Sequence, residues 1–256
     1  MKIVIAGDIH FPHQDDKVIE LFYKFIKDYQ PDTIVFNGDL LDCSGISKFQ
    51  SIPGSSNLSN ELSLCWQFLS DVRTLCPNAR IVYITGNHEW RWRSQLVENI
   101  KDPTMYGVIR DSVSLSDLLH LNKLNIEFKD LPDNISRFDD NYIYLEGFFI
   151  GHWNRASKHS AYTVKLLIDD KGANVVQGHT HRLGIHYKNT LSRTLVGVET
   201  GCMCKVEPDY CMNPNWQSGF CVIENKNVFP IHIVDHEFDY GGKHFTLEKD
   251  IDPMVL

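Results

Sequence analysis

The amino-acid sequence predicts an α/β fold, because two kinds of pattern alternate along its 256 residues. Short β-branched and aromatic runs are typical of buried strands, and longer segments with apolar residues at helical spacing predict amphipathic helices. Five of the strand runs are each followed by a glycine and then by aspartate, asparagine or histidine. Strand–helix alternation indicates a sheet with crossover connections, so these polar residues should gather at the carboxyl edges of parallel strands.

The first third of the chain shows this alternation clearly. Apolar residues between Val18 and Ile26 recur at helical spacing, and Pro31 ends that helix. A polar, serine-rich loop over Cys43–Ser59 is expected to lie over the site. The predicted elements are strand Lys2–Ala6, helix Asp15–Tyr29, strand Thr33–Asn37, helix Leu58–Leu75 and strand Arg80–Thr85.

The middle of the chain has a weaker pattern. We expect helices at Trp90–Ile100 and Ser116–Leu121, separated by Pro103 and Gly107. Residues 101–138 are the expected place for an insertion or a cap over the site.

The second half predicts another set of strands. Tyr142–Ile150 and Asn174–Gln177 read as strands, with a helix between them over Ser157–Lys171 that Ser157 would cap. From Leu183 onward, alternating segments predict antiparallel strands of a second sheet, at Arg193–Val198, Phe220–Ile223 and Val228–Val234. We expect one domain over residues 1–238 and a loosely attached tail over 239–256.

The residues that follow the five strands are of the types that bind hard divalent metal ions. One such motif alone is weak evidence, because polar side chains at strand ends are common without a metal. Five in succession predict a metal site, with two cations favoured. The five blocks are Gly7-Asp8-Ile9-His10, Gly38-Asp39-Leu40-Leu41-Asp42, Gly86-Asn87-His88-Glu89, Gly151-His152 and Gly178-His179-Thr180-His181.

These blocks resemble the signature of the calcineurin-like metallophosphoesterase superfamily, which runs D-x-H, G-D-x-x-D, G-N-H-[DE], H and G-H-x-H. The resemblance covers about residues 1 to 182 and is closest to compact phosphoesterases of bacteria and their phages. It implies a sandwich of two central mixed sheets flanked by helices. It also implies hydrolysis of a phosphate ester by a hydroxide that bridges two metal ions.

The resemblance implies a role for each ligand. Asp8, His10, Asp39 and His181 would surround one metal, and Asp39, Asn87, His152 and His179 the other, with Asp39 as the bridge. Mixed nitrogen and oxygen donors suit manganese best, with iron, zinc, nickel or cobalt as alternatives, and suit calcium less. The H-x-H spacing predicts an extended segment in which His179 and His181 face one pocket.

His88 and Asp42 are the predicted catalytic residues. By resemblance, His88 is no ligand but would bind a phosphoryl oxygen or protonate the leaving oxygen. Asp42 is placed to orient His88, although a role as a loop-capping aspartate remains open.

Arg155 and Arg182 are the predicted substrate-binding residues, because arginine matches phosphate with two parallel hydrogen bonds. Arg91, Arg93 and Lys158 are weaker candidates, for which surface ion pairs explain the sequence equally well.

The substrate class is narrowed by departures from the pattern. Asp42 is followed by Cys43 and Ser44 rather than Arg-Gly, and His152 by Trp153 rather than Gly-Gly, which disfavours protein phosphatases. We therefore expect a phosphodiester or nucleotide substrate, nucleic acid included. A phosphomonoesterase acting on a small metabolite is the alternative, and a non-catalytic metal-binding scaffold a further one.

Composition agrees with an ordinary globular protein, with 43% hydrophobic and 23% charged residues. The net charge of −8 disfavours avid non-specific nucleic-acid binding. An odd count of seven cysteines argues against a disulfide framework, and reduced thiols are favoured over a small zinc site at Cys202, Cys204 and Cys211. With no apolar run near 20 residues and no secretory pattern, we expect a cytoplasmic protein without membrane association.

Overall fold

The computed structural model describes residues 1–47, 57–130, 141–207 and 214–247. In chain order the strands are β1 (Lys2–Ala6), β2 (Thr33–Asn37), β3 (Arg80–Ile84), β4 (Ile126–Lys129), β5 (Tyr142–Leu145), β6 (Phe148–Gly151), β7 (Asn174–Gln177), β8 (Leu183–Asn189), β9 (Thr194–Thr200), β10 (Gly219–Glu224), β11 (Asn227–His232), β12 (Glu237–Tyr240) and β13 (Lys243–Thr246). The α-helices are α1 (Asp16–Tyr29), α2 (Leu58–Leu75), α3 (Glu89–Asn99), α4 (Pro103–Ser112), α5 (Leu115–Leu118) and α6 (Tyr162–Lys171).

Two mixed sheets form the centre of the molecule, as the sequence predicted. The first has the order β11-β10-β1-β2-β3-β4, with β1 to β4 parallel and β10 antiparallel to β1. The second has the order β5-β6-β7-β9-β8, with β6, β7 and β9 parallel. Because both sheets contain parallel strands, both deliver loops from strand carboxyl ends.

The alternating direction of strand side chains explains the layers. In β1, Ile3 and Ile5 face the second sheet, where they pack in one buried cluster with Phe148 and Ile150. Val4 and Ala6 belong instead to the cluster that packs against α1 and α2. Helix α6 covers the outer face of the second sheet through Val164, Leu167 and Ile168. The result is a four-layer sandwich of helix, sheet, sheet and helix.

Several predicted elements differ from the structure. The single strand expected over Tyr142–Ile150 is a hairpin, which turns at Glu146 and Gly147 with φ of 50° and 92°. The helix expected from Ser157 begins only at Tyr162, after Ala161 adopts φ of 64°. Pro103, expected to separate helices, instead begins α4, where the missing N–H costs nothing and Asp102 caps the N-terminus.

The later strands also differ from expectation. Only β8 and β9 join the second sheet, whereas β10 and β11 extend the first sheet beside β1. The tail expected from Asp239 is wrong as far as residue 247, because β12 and β13 form a hairpin whose Phe238 and Phe245 pack against Phe25 of α1. Residues 248–256 lie outside the described residues, as do 48–56 of the polar loop and 131–138 of the expected cap. That cap stays a prediction. Among the described helices, none combines the length and apolarity needed to cross a membrane.

Candidate metal centre

The loops after β1, β2, β3, β6 and β7 meet at one place between the two sheets. Asp8, which follows β1, accepts hydrogen bonds from the backbone N–H of His179, which follows β7, at 3.0 and 2.8 Å. His152, which follows β6, donates from Nδ1 to the carbonyl oxygen of Asn37 at 2.8 Å. Hydrogen bonds between side chains and backbone groups across the two sheets therefore hold these loops together independently of any ligand.

Asp8, His10 and His181 form a first cluster of donor atoms. The Nε2 atoms of His10 and His181 lie 3.0 Å apart, and His181 Nε2 lies 3.3 Å from Asp8 Oδ1. All three side chains are buried. Two ring nitrogens that face each other leave one lone pair unsatisfied unless a cation or a proton lies between them.

Asp39, Asn87, His152 and His179 form a second cluster. Asn87 Oδ1 lies 3.0 Å from His152 Nε2 and 2.6 Å from His179 Nδ1, and His152 Nε2 lies 3.2 Å from Asp39 Oδ2. Because His152 uses Nδ1 to hold Asn37, its Nε2 faces the cluster. Asp39 Oδ2 is also 3.8 Å from His10 Nε2, so this carboxylate lies between the two clusters.

The donor chemistry fits divalent metal ions. Carboxylate, imidazole and amide atoms converge within a few ångströms, the mixed set that first-row transition metals accept. A cation would satisfy the facing nitrogens of His10 and His181. Metal binding is therefore supported by both clusters.

The electrostatics of the centre agree with this fit. Burial opposes charge on His152 and His181, yet the Asp39 and Asp8 carboxylates outweigh it, raising the pKa of His152 to about 9 and that of His181 to about 10. Burial likewise opposes ionisation of Asp39, but neighbouring histidines, led by His152, hold the pKa of that carboxyl well below its usual range. The protons on His152 and His181 thus supply positive charge where bound metal cations would supply it.

The candidate ligands have strained backbones. Left-handed conformations are uncommon for residues with a side chain, and clusters of them mark functional sites. The extended segment expected for His179 to His181 is wrong, since both histidines turn into the site through positive φ. The residues and φ angles are Asp8 (51°), His10 (54°), Asp39 (52°), His179 (73°) and His181 (55°).

The glycines of the motifs make room for ligands from other motifs. A Cβ atom on Gly86 would lie 2.1 Å from Asp39 Oδ1, and one on Gly38 would lie 2.3 Å from His152 Nδ1. Each glycine therefore lets a candidate ligand from another motif approach the backbone, which explains why glycine and ligand recur together.

His88 and Asp42 lie beside the first cluster. His88 Nδ1 is 2.8 Å from the carbonyl oxygen of Asp42 and 3.3 Å from Asp42 Oδ1. Asp42 Oδ1 is also 3.2 Å from His10 Nδ1, a contact that the sequence did not suggest. Burial would raise the pKa of Asp42, but hydrogen bonds from His10 and His88 keep it below its usual range. Asp42 thus orients one cluster ligand and the candidate catalytic histidine together.

The basic residues named in the sequence analysis have different surroundings in the structure. The Arg155 guanidinium pairs with Asp170 of α6, so a substrate contact would require it to leave that ion pair. Arg182 lies near Glu199, and its Nε is buried without a hydrogen-bond partner among the described residues. Arg91, ranked lower, contacts His88 directly. Its position on the first turns of α3, three residues after His88, is the signal that could have identified it.

The late cysteines lie next to the centre. Cys202 and Cys204 are buried and unbridged, and Cys204 Sγ is 3.7 Å from His181 Nδ1, the nitrogen that faces away from His10. Cys211 lies outside the described residues. Cys204 is therefore a neighbour of a candidate ligand.

Comparison with known proteins gives a family match. The family model described as calcineurin-like phosphoesterase matches residues 1–183. The Gene 54 proteins of Mycobacterium phages L5 and D29 are each 26% identical to this chain, and each alignment covers 94% of this chain and 97% of the relative.

Two solved structures illustrate the structural similarity. Vps29 from Entamoeba histolytica, crystallised with zinc, is 13% identical, with a TM-score of 0.46 over 93% of this chain and 96% of that one. The Escherichia coli phosphoesterase YfcE is 12% identical, with a TM-score of 0.44 over 94% and 97%. Both proteins have low sequence identity to this chain.

Proposed function

This chain belongs to the calcineurin-like phosphoesterase family, and we propose that it is a dinuclear metal-dependent hydrolase of phosphodiester or nucleotide substrates. The observation that carries the proposal is the position of Asp39 between two clusters of buried donors. A single carboxylate shared by two donor sets is the arrangement that a pair of cations requires.

The candidate ligands fall into two groups, one for each cation. Asp8, His10 and His181 would hold one cation, and Asn87, His152 and His179 the other, with Asp39 shared. When bound, the two cations, most readily manganese, supply Lewis acidity and make a water molecule nucleophilic near neutral pH. Asn87 is a neutral donor, so the ligand set leaves net positive charge for the substrate's phosphate.

His88 would complete the reaction. Its Nδ1 donates to the carbonyl oxygen of Asp42, which fixes the ring so that Nε2 points away from Asp42. A proton carried on Nε2 would pass to the leaving oxygen, and the Asp42 carboxylate, 3.3 Å from Nδ1, would stabilise the protonated ring.

A nucleotide substrate is supported by an aromatic ring at the centre. Trp216 is half-buried and lies against His181, with ring centroids 4.1 Å apart. An aromatic face beside the donor clusters, where a substrate phosphate would bind, suits stacking on a base. Trp153, by contrast, is buried in the core, and Trp92 donates its Nε1 proton to Val113, so these rings serve packing. Buried free thiols beside the site suit a reducing, cytoplasmic setting.

The test pairs metal analysis with turnover of bis-p-nitrophenyl phosphate and p-nitrophenyl phosphate, with manganese added. Faster hydrolysis of the diester, lost with metal in Asp39→Asn, is the expected result. Preference for the monoester would point to a phosphomonoesterase instead. Bound metal without turnover of either ester, or of cyclic nucleotides and single-stranded DNA, would point to a scaffold.

A further inference from the structure

Arg91 has an unusual position for a helix arginine. Its Nη1 donates to the carbonyl oxygen of Asp42 at 2.7 Å, and its Nη2 donates to His88 Nε2 at 3.0 Å. Guanidinium can only donate hydrogen bonds, so His88 Nε2 must be the acceptor. The cation thus covers the ring nitrogen that the proposed reaction uses.

Three other arginines are each paired with a carboxylate, whereas Arg73 and Arg193 donate to backbone carbonyl oxygens. Arg93 pairs with Asp130, Arg155 with Asp170 and Arg80 with Glu127, each a carboxylate. In the described ranges, no ion pair within 4.0 Å joins Arg91 to a carboxylate; its two hydrogen-bond acceptors are a carbonyl oxygen and an imidazole nitrogen. A half-buried cation with only neutral acceptors still gains from an anion.

We propose that Arg91 binds the phosphate of the substrate and releases His88 as it does so; this rests on the proposed function. His88 Nε2 is a neutral acceptor, whereas a phosphoryl oxygen is anionic and adds charge–charge attraction to the hydrogen bond from the guanidinium. Nη2 therefore exchanges His88 Nε2 for a phosphoryl oxygen when an ester enters. The exchange uncovers the Nε2 lone pair, which then takes up a proton from solvent and passes it to the leaving oxygen, while Arg91 places a positive charge beside the phosphate.

This assignment also explains a feature of the sequence. No arginine follows Asp42, where Cys43 and Ser44 stand. Arg91 reaches the same loop from α3, since its Nη1 contacts the Asp42 carbonyl oxygen. The phosphate-binding cation is thus supplied from the helix after the third motif.

The experiment uses full-length protein with verified metal content and compares Arg91→Ala and Arg91→Lys with a control, Arg80→Ala. Arg80 begins β3 at the opposite end of the strand, so its loss removes an exposed ion pair only. Titration calorimetry measures the binding of inorganic phosphate to each manganese-loaded protein. Arg91→Ala should weaken it roughly tenfold to a hundredfold, the usual worth of a hydrogen bond to a charged group, and raise KM for bis-p-nitrophenyl phosphate.

Arg91→Lys should fall between wild type and Arg91→Ala, and added guanidinium should partly restore Arg91→Ala. Phosphate affinity equal to wild type, or loss of metal in Arg91→Ala, would overturn the proposal, because the arginine would then only brace the loop. If no Arg91 variant folds, phosphate must protect Arg91 of the wild-type protein from phenylglyoxal for the proposal to stand. An inactive wild type that binds phosphate through Arg91 would instead refute the hydrolase function alone.

Discussion

Glu89 Oε2 accepts a hydrogen bond from the backbone N–H of Asp39 at 3.0 Å, so the last residue of the third motif holds the backbone of the aspartate that lies between the two clusters. The same oxygen accepts the N–H of Gly86 at 2.7 Å. Glu89 Oε1 accepts from Leu41 N–H and from the Tyr83 hydroxyl. One fully buried carboxylate thereby ties two ligand loops together.

Replacing Glu89 with glutamine should loosen both loops. The amide would direct N–H groups at backbone donors and leave at least one of them unsatisfied, a cost of about 1–3 kcal/mol. We expect a lower free energy of unfolding in urea and weaker metal binding. Tyr83→Phe is the matched control, because it removes only one donor and should cost about 0.5–1.5 kcal/mol. Equal effects of the two substitutions would contradict this role for Glu89.

Gly86→Ala should damage the metal centre directly. The added Cβ would lie 2.1 Å from Asp39 Oδ1, so the carboxylate must move away from both clusters. We expect loss of metal, measured by elemental analysis, and of activity with it. Gly107→Ala in α4 is the control: its Cβ meets nothing within 4 Å, and alanine in a helix should stabilise it by about 0.5–1 kcal/mol. Full metal content in Gly86→Ala would mean that metal binding does not depend on the observed position of the Asp39 carboxylate.

The donor clusters were largely readable from the sequence, because each motif directly follows a strand. A ligand next to a strand end has little freedom in where it lies, so Asp8, Asp39 and His152 converge once the strands are parallel. The sequence could not show that His179 and His181 reach the site through left-handed turns, since positive φ outside glycine leaves no sequence pattern.

Long-range pairing was harder to predict. Nothing near β10 in the sequence says that it lies beside β1, because strand pairing depends on contacts about 220 residues apart. The hairpin of β12 and β13 was missed for a similar reason: its stability comes from Phe238 and Phe245 packing on Phe25. The contacts of Arg91 and Arg155 could not be predicted from the sequence, because helix phase and a distant partner, Asp170, set the directions of these side chains.

His88→Ala should reduce turnover by roughly 10² to 10⁴ without loss of metal, because the side chain is a proposed proton donor and no ligand. Asp42→Asn should reduce turnover less, since the Asp42 carbonyl oxygen would still hold His88 Nδ1. Steady-state kinetics at saturating manganese, together with metal analysis, distinguish these cases. Metal loss in His88→Ala would show that the ring is a ligand after all.

Loading the metal-free protein with metal near pH 7 should release protons. His152 and His181, with pKa values of about 9 and 10, are protonated at that pH, and imidazole binds a metal only through a free lone pair. Calorimetry of manganese binding in buffers of different ionisation enthalpy measures this release. Binding without proton release would mean that neither histidine is a ligand or that neither is protonated beforehand.

The same two histidines fix the sign of the pH dependence of metal-free stability. Their folded pKa values lie above the unfolded value of 6.5, so the stabilisation is complete below pH 6.5 and is lost as pH rises through about 9 to 10. The metal-free protein should therefore unfold at lower urea concentration at pH 10 than at pH 7. The metal-loaded protein should lack this decline, because cations replace the protons between the same carboxylates. An equal decline in both forms would assign the effect to groups outside the centre.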